Sequence, residues 1–167
     1  MSIEPPRAPR RPAPVDDLVD FGELPDAVNA ILQKGVAAAR SDRAAADALF
    51  RSALAVDPRA LPTYFCLYKI HTYAGDFDAA LEIAEAGLRE AARQANLSPD
   101  WRLWQPEAVS LDGPARTALY TLKALAFIRL RRGEPAAARD LLAGLAELDP
   151  DDAVGGSVVE AIRLGAA

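Results

Sequence analysis

The segment Gly75-Asp76-Phe77-Asp78-Ala79-Ala80 joins two stretches of apolar, helix-periodic sequence, and the same pattern occurs twice more in the chain. The other copies read Ser41-Asp42-Arg43-Ala44-Ala45-Ala46 and Gly133-Glu134-Pro135-Ala136-Ala137-Ala138. Ala46 and Ala80 lie 34 residues apart, whereas Ala80 and Ala138 lie 58 apart, which is one such period plus 24 inserted residues. A recurring unit of this length is typical of stacked helix pairs.

Helical periodicity extends outward from these turns through most of the chain. Apolar residues at spacings of three and four predict helices over about 24–36, 44–56, 61–73, 77–95, 115–131 and 135–148. Asp57-Pro58 and Asp149-Pro150 end two of them, because the residue before a proline avoids the helical region. Gly75 is suited to the left-handed conformation that ends a third.

The remaining sequence predicts two further helices and one loop. Ser98-Pro99-Asp100 indicates the start of a short helix, and the stretch from Gln105 to Pro114 is predicted to be a loop. A final helix over about 153–164, with Val154, Val158 and Ile162 on one side, is predicted to cap the open end of the stack.

The first 20 residues differ from the rest, because five prolines alternate there with arginines. Proline removes amide donors and nothing in this stretch can bury a face, so residues 1–20 are predicted to form a disordered or polyproline-like arm. A solvated tail is the favoured interpretation, and a docking peptide for a partner is the alternative. Residues 21–167 are predicted to form one helical domain.

Composition excludes several classes of function. The chain has 167 residues, of which 51% are hydrophobic, and its net charge of −5 with no basic stripe argues against nucleic-acid binding. A single cysteine, Cys66, fits a reducing compartment. No apolar stretch approaches the roughly 18 residues of a membrane helix, and the start of the chain lacks the apolar run of a signal peptide. We therefore expect a soluble, cytoplasmic protein with no membrane contact, and the Ala/Arg/Asp-rich makeup favours a bacterial source.

The repeated units resemble the tetratricopeptide repeat (TPR) family over about residues 24–165, with the family's 34-residue period. The middle unit matches best, and its family positions are filled by Tyr64, Leu67, Gly75, Asp76, Phe77 and Ala80. The third unit has Leu125, Ala126, Gly133, Ala138, Leu142 and Pro150 in register, with Leu122 in place of an aromatic residue. The first unit matches in its second helix through Ala46, Phe50, Ala53 and Pro58, and it departs in its first helix at Ala30, Gln33 and Lys34.

The resemblance implies both a fold and a kind of function. The fold is all-α, a TPR-like right-handed stack of antiparallel helix pairs with a 24-residue insertion at about 93–114 and a C-terminal capping helix. A repeat of this kind is a surface that holds another molecule, so a protein or peptide partner is expected and catalysis is not.

In TPR proteins the first helix of each unit lines a concave groove, and the matching residues here are aromatic and cationic. The resemblance implies partner contacts by Phe65, Cys66, Lys69, Thr72 and Tyr73 of the middle unit and by Tyr120, Lys123, Phe127 and Arg131 of the third. The first unit contributes Val28, Ile31, Gly35 and Ala38. Such residues favour an acidic-hydrophobic segment as the ligand. The alternative is that several of them pack against the last helix or the insertion.

Two tryptophans, Trp101 and Trp104, distinguish the insertion and lie three residues apart on one face of a helical turn. We favour the interpretation that both fill the gap where the insertion bends back on the repeats. An exposed aromatic anchor for a partner is the alternative, since tryptophan is enriched in binding hot spots.

Chemistry that would indicate an enzyme or a cofactor is missing from the sequence. There is no glycine-rich phosphate loop and no His/Cys cluster at metal spacing, so no cofactor, metal or catalytic residue is predicted. His71 is the one histidine, and it is expected to be a partly buried packing residue rather than the partner of a catalytic cysteine. The clamp that some TPR domains use for chaperone tails is excluded, because its positions hold Ile31, Gly35, Cys66, Tyr120 and Ala124.

Two interpretations of function remain open. The first is an adaptor or accessory factor, either a monomer or a weak homo-oligomer, and the second is a structural homo-oligomer built through repeat or tryptophan-insertion contacts. A narrower resemblance rests on Asp100-Trp101, Asp112-Gly113-Pro114 and the segment 122–131. These are similar to small TPR proteins encoded among nitrogen-fixation genes, which implies an accessory role in nitrogenase assembly or protection.

Overall fold

The computed structural model describes residues 18–165, and all regular structure in that range is helical. The seven α-helices are α1 Asp26–Ala39, α2 Arg43–Val56, α3 Leu61–Tyr73, α4 Phe77–Gln94, α5 Gly113–Arg131, α6 Pro135–Leu148 and α7 Gly156–Gly165. Two 3-10 turns, Trp101–Leu103 and Pro106–Ala108, lie in the linker between α4 and α5. The predicted all-α class is confirmed, and the predicted helix ends agree to within about three residues.

The recurring turns fall into two kinds, those with a glycine at the helix end and one without. Gly75 and Gly133 have φ of 77° and 78°, and the following amides of Asp76 and Glu134 donate to carbonyls of the preceding helix at 2.9 Å. This is the left-handed helix end predicted for Gly75, and a side chain would strain it. The first copy has no glycine, and there Asp42 caps α2 by accepting from the Ala45 amide at 3.0 Å.

Helices pack in chain order, and the odd-numbered helices also contact one another. Each helix touches the next one along the chain, while α1 contacts α3, α3 contacts α5 and α5 contacts α7. The odd-numbered helices therefore form one layer, whose open side we call the odd-helix face. Ala46, Ala80 and Ala138 at the turns are fully buried, as expected for positions where backbones approach closely.

Two glycines show how tightly neighbouring helices approach. A Cβ at Gly35 of α1 would collide with the buried ring of Phe50 in α2. A Cβ at Gly87 of α4 would lie 2.9 Å from the Cβ of Tyr64 in α3. Each glycine lets an aromatic side chain of the adjacent helix lie directly against the backbone.

The last helix begins later than predicted. The buried carboxylate of Asp149 accepts from the amides of Ala153 and Val154 at 2.8 and 2.9 Å, which fixes a turn before α7. Of the predicted side, only Val154 is buried, and it lies in the turn before α7, while α7 itself buries Val159. Val158 and Ile162 are 63% and 44% exposed.

The predicted arm extends beyond the part of the chain that the structure describes, since residues 1–17 lie outside it, as do Ala166 and Ala167. Leu18, Val19 and Asp20, which the sequence assigned to the arm, are described. Between residues 18 and 165, every helix is too short or too polar to cross a lipid bilayer.

Candidate functional site

The odd-helix face contains an open groove between α3, α5 and α7. Its volume is about 430 Å³. Its walls include seven residues predicted from the sequence as partner contacts, namely Phe65, Lys69, Thr72, Tyr73, Tyr120, Lys123 and Phe127. We call this cavity the open groove.

Aromatic side chains form two walls of the open groove. The Phe65 ring of α3 lies 5.5 Å from the ring of Tyr68 and 5.8 Å from that of Tyr120 in α5, measured between centroids. Tyr73, at the end of α3, is 79% exposed. The aromatic surface is therefore held rigid at its base and exposed to solvent at its edge.

Two lysines give the open groove its charge, and they are held differently. Lys69 is exposed, and its Nζ lies 5.1 Å from the Phe65 ring centroid and 5.7 Å from that of Tyr73. Lys123 Nζ lies 4.1 Å from the Tyr120 ring centroid and donates to the Val154 carbonyl at 2.7 Å. Partial burial lowers the pKa of Lys123. Lys69 is thus the cation available to a ligand, whereas Lys123 supports the turn before α7.

No acidic residue lines the open groove among the residues that the structure describes. The chain as a whole carries a net charge of −5, so the groove is locally opposite in sign to the protein. Arg131, also predicted as a partner contact, is not a wall of the groove, and its guanidinium lies 5.9 Å from the Phe127 ring and 5.3 Å from the Phe77 ring. A carboxylate entering the groove meets the two lysines of its walls, of which Lys123 already feels the charge of Asp152 outside the groove.

Helix α7 contributes a wall that the sequence did not predict as part of the site. Val158 and Ile162 line the open groove and keep much of their surface exposed. Their apolar spacing was visible in the sequence, but it was interpreted as the buried side of a cap. Each of the three helices that form the groove therefore contributes apolar side chains to its walls.

The other half of the odd-helix face is partly covered by the chain's own N-terminal segment, residues 18–24. Val19 and Phe21 form walls of a cavity of about 480 Å³ with Val36 of α1 and Phe65 of α3. Both residues also border a cavity of about 400 Å³ that reaches α5. Phe21 packs against the hydrophobic core and is half-buried.

A glutamine on α1 holds this segment by its backbone. The Val19 amide donates to Gln33 Oε1 at 3.1 Å, and Gln33 Nε2 donates to the Val19 carbonyl at 2.7 Å. Gln33 Nε2 also donates to Asn29 Oδ1 at 3.2 Å, which orients the amide. Gln33 is one of the positions where α1 departs from the TPR pattern, and this contact gives the departure a structural role.

In the first unit, the residues predicted to line the groove differ from those that form a wall in the structure. Val28 and Gly35 are buried in the packing of α1 against α2. The walls that α1 provides beside the N-terminal segment are instead Val36 and Ala39.

The two tryptophans lie away from the open groove. Trp104 is 6% exposed and its Nε1 donates to the Ser98 carbonyl at 2.6 Å, so it offers little surface to a partner. Trp101 is half-buried against Gly144 of α6, and the Arg102 guanidinium lies 4.7 Å from its ring. The burial of Trp104 agrees with the interpretation that it fills a gap. Trp101 is only half-buried, so part of its ring stays accessible.

Cys66 and His71 are both buried and do not face each other as a reactive pair. Burial raises the pKa of the Cys66 thiol to about 11, so it is protonated at neutral pH. His71 Nε2 donates to Asp47 Oδ1 at 2.7 Å, which links α3 to α2. Among the described residues, no group of three or more His, Cys, Asp or Glu is placed to hold a metal ion.

The fold and the site together define an all-helical chain with one half of a groove covered by its own segment and the other half open. Comparison with protein-family models, with curated proteins and with solved structures finds no match to this chain.

Proposed function

We propose that this chain is a TPR-like adaptor or accessory factor that holds an acidic-hydrophobic segment of another protein in the open groove. The repeat resemblance supports this proposal, and so does the contact of alternate helices in one layer. Under it the chain is a right-handed stack of antiparallel helix pairs with a 24-residue insertion, and α7 is its cap.

One observation carries the proposal. Seven side chains chosen from the family positions, four on α3 and three on α5, line the same cavity. They combine exposed aromatic area with a lysine, and no described residue among the groove walls is acidic. Rigid aromatic rings give contact area at low entropic cost, and a cation beside them selects a carboxylate on the ligand.

The ligand's charge is expected to act mainly through Lys69. Its ammonium is exposed beside two rings, whereas that of Lys123 already donates to a carbonyl of the chain. A carboxylate on the partner would bind at Lys69, while its apolar side chains would contact Phe127, Val158 and Ile162. Binding of this kind is expected to weaken as salt concentration rises.

The function is proposed to be binding rather than catalysis, and the proposed location is the cytoplasm. The role in nitrogen fixation that the narrower resemblance implies remains a prediction. A pull-down from a host grown without fixed nitrogen tests it. A protein captured by wild type and lost when Lys69 is replaced would support the prediction.

The proposal is tested with peptides selected for binding from a displayed random library. The selected sequences are expected to carry acidic residues beside aromatic or aliphatic ones. Lys69→Glu should then lower their affinity at least about tenfold in fluorescence anisotropy, because it replaces attraction by repulsion. Lys34→Glu is the matched control, since Lys34 is an exposed lysine of α1 that lies outside the open groove.

The adaptor proposal fails if the selected peptides are basic or if they bind wild type and Lys69→Glu equally. Circular dichroism of each variant tests whether it is folded. A loss of binding in a folded variant is then assigned to the groove and not to unfolding.

A second candidate function is self-association through α7. Val158, Ile162 and Leu164 are 63%, 44% and 60% exposed, an unusual concentration of apolar surface on one short helix. Sedimentation velocity over a hundredfold range of concentration tests this candidate. A mass that rises with concentration and stays at the monomer value in Leu164→Glu would support it.

A further inference from the structure

The segment 18–24 has the chemistry that the proposed function assigns to a partner. Its sequence, Leu-Val-Asp-Phe-Gly-Glu-Leu, alternates apolar and acidic residues. Val19 and Phe21 face cavities on the odd-helix face, with Asp20 between them in sequence. The chain therefore already carries an acidic-hydrophobic segment on the surface where such a ligand is expected.

The contact with Gln33 does not depend on the identity of the side chain at position 19. Both polar groups of the Val19 backbone are bonded to the Gln33 amide, in the manner of one rung of a sheet. Any extended segment laid along α1 can make the same pair of bonds. The apolar side chain two residues further on, here Phe21, supplies the anchor.

A tight turn lets the same chain fold back onto its own helices. Asp20 Oδ1 accepts from the Gly22 amide at 2.8 Å, and Gly22 has φ of 76°. A Cβ at Gly22 would meet no atom within 4 Å, so a substitution there strains the turn without touching the groove. A segment from another protein would need no such turn.

The covered half and the open groove are continuous. Phe65, Lys69 and Tyr73 line both the open groove and the cavity beside Val19 and Phe21. A partner segment that entered the open groove and continued along the odd-helix face would next meet the N-terminal segment.

We propose that residues 18–24 are an internal occupant of the odd-helix face that a partner's acidic-hydrophobic segment displaces. This inference rests on the proposed function and narrows its ligand. The displacing segment is extended, carries two apolar residues separated by an acidic one, and bonds to Gln33 through its backbone. Tethering gives the internal segment an effective concentration in the millimolar range, so it competes even though its own contacts are few.

The test uses the full chain and a fluorescein-labelled peptide with the sequence of residues 16–24. Wild type is expected to bind this probe weakly in fluorescence anisotropy, because its own segment competes. Phe21→Ala should raise the affinity for the probe at least about tenfold, because it removes the competing anchor and leaves the groove intact. Gly22→Ala should raise it on the order of fivefold by straining the turn.

Two further variants separate displacement from nonspecific binding. Adding Gln33→Ala to Phe21→Ala should remove the gain, because the probe then loses its backbone contact. Glu107→Ala is the control outside the segment, because Glu107 is exposed in the linker and lines neither cavity beside Val19 and Phe21, and it should leave the probe affinity at the wild-type value. A probe in which the phenylalanine is replaced by alanine should bind none of the proteins.

Equal probe affinity in wild type, Phe21→Ala and Gly22→Ala would overturn the proposal, as would absence of probe binding to all three. Either result leaves the proposed function standing if selected peptides still depend on Lys69. Conversely, a gain in Phe21→Ala alongside selected peptides that ignore Lys69 would retain the internal occupant and reject the open-groove adaptor.

Discussion

The two halves of the odd-helix face differ in how they are filled. The half beside α1 is covered by residues 18–24, whose Val19 backbone is bonded to Gln33 and whose Phe21 packs on the core. The half beside α7 is open and presents Lys123, Phe127 and Ile162, while exposed Lys69 and Tyr73 line both halves. The covered half thus includes a contact to backbone, whereas the open half offers side chains alone. Backbone contacts accept many sequences, and rings with a cation select among them.

The two halves share one scaffold, and overpacking that scaffold should break both at once. Ala80 lies fully buried at the start of α4, which packs against α3 and α5. Ala80→Leu adds three carbons where no space is left, and we expect a loss near the upper end of the range of about 1–3 kcal/mol. At roughly 2–4 °C per kcal/mol for a chain of this size, the melting temperature should fall by several degrees.

Calorimetry or thermal circular dichroism measures this shift. Ala48→Leu is the control, because Ala48 is exposed on α2 and has room for the larger side chain. An unchanged melting temperature in Ala80→Leu would refute the packing role assigned to the small residues at the recurring turns.

The link between α2 and α3, which lies outside the open groove, should make the fold sensitive to acid. The Asp47 carboxylate accepts from His71 Nε2 at 2.7 Å and from Arg51 Nε at 2.8 Å. Partial burial opposes ionisation, but these hydrogen bonds prevail and hold the pKa of Asp47 below its ordinary 3.8. A lowered pKa stabilises the fold above pH 3.8, and that stability is lost as the pH falls through the folded-state value.

We therefore expect Asp47→Asn to lower the free energy of unfolding at neutral pH, toward the low end of about 1.5–3 kcal/mol because the carboxylate is partly exposed. The difference from wild type should shrink below about pH 3.8, in urea titrations at several pH values. Asp140→Asn is the control, since its ion pair with Arg139 is exposed. A difference that grew on acidification would contradict the assignment.

The helices were predictable because their signals are local. Alternating apolar spacing, Gly75 at a helix end and Asp-Pro stops act within a few residues, so the sequence predicted where nearly every helix lies. Seven of the ten wall residues of the open groove on α3 and α5 followed from the repeat register, whereas Tyr68, Ala124 and Ile128 were not predicted. The late start of α7 did not, because it depends on Asp149 bonding to two amides that follow it in the turn.

The covering of the first half was not predictable for a similar reason. Val19 lies within, and Phe21 directly after, the stretch of prolines and arginines whose composition indicates disorder. Their position depends on Gln33, fourteen residues after Val19, which the sequence showed only as a departure from the repeat pattern. A hydrogen bond between one glutamine side chain and a distant backbone leaves no periodic pattern in the sequence from which it could be predicted.

The open half can be tested without disturbing the fold, at Tyr73. Because 79% of this residue is exposed, Tyr73→Ala should change the free energy of unfolding by less than about 0.5 kcal/mol. It should nevertheless weaken open-groove peptides roughly tenfold, since exposed tyrosines at the edge of a groove become buried only when the ligand binds.

Leu103→Ala is the matched control, because Leu103 is 65% exposed in the linker and lies outside both halves of the odd-helix face. Isothermal calorimetry of both variants with a selected peptide separates stability from affinity. If Tyr73→Ala left binding intact while Phe65→Ala removed it, the ligand would lie deeper, against Phe65, which also lines the cavity of about 400 Å³ beside Val19 and Phe21. The boundary between the halves would then belong to the site, and residues 18–24 would compete for it directly.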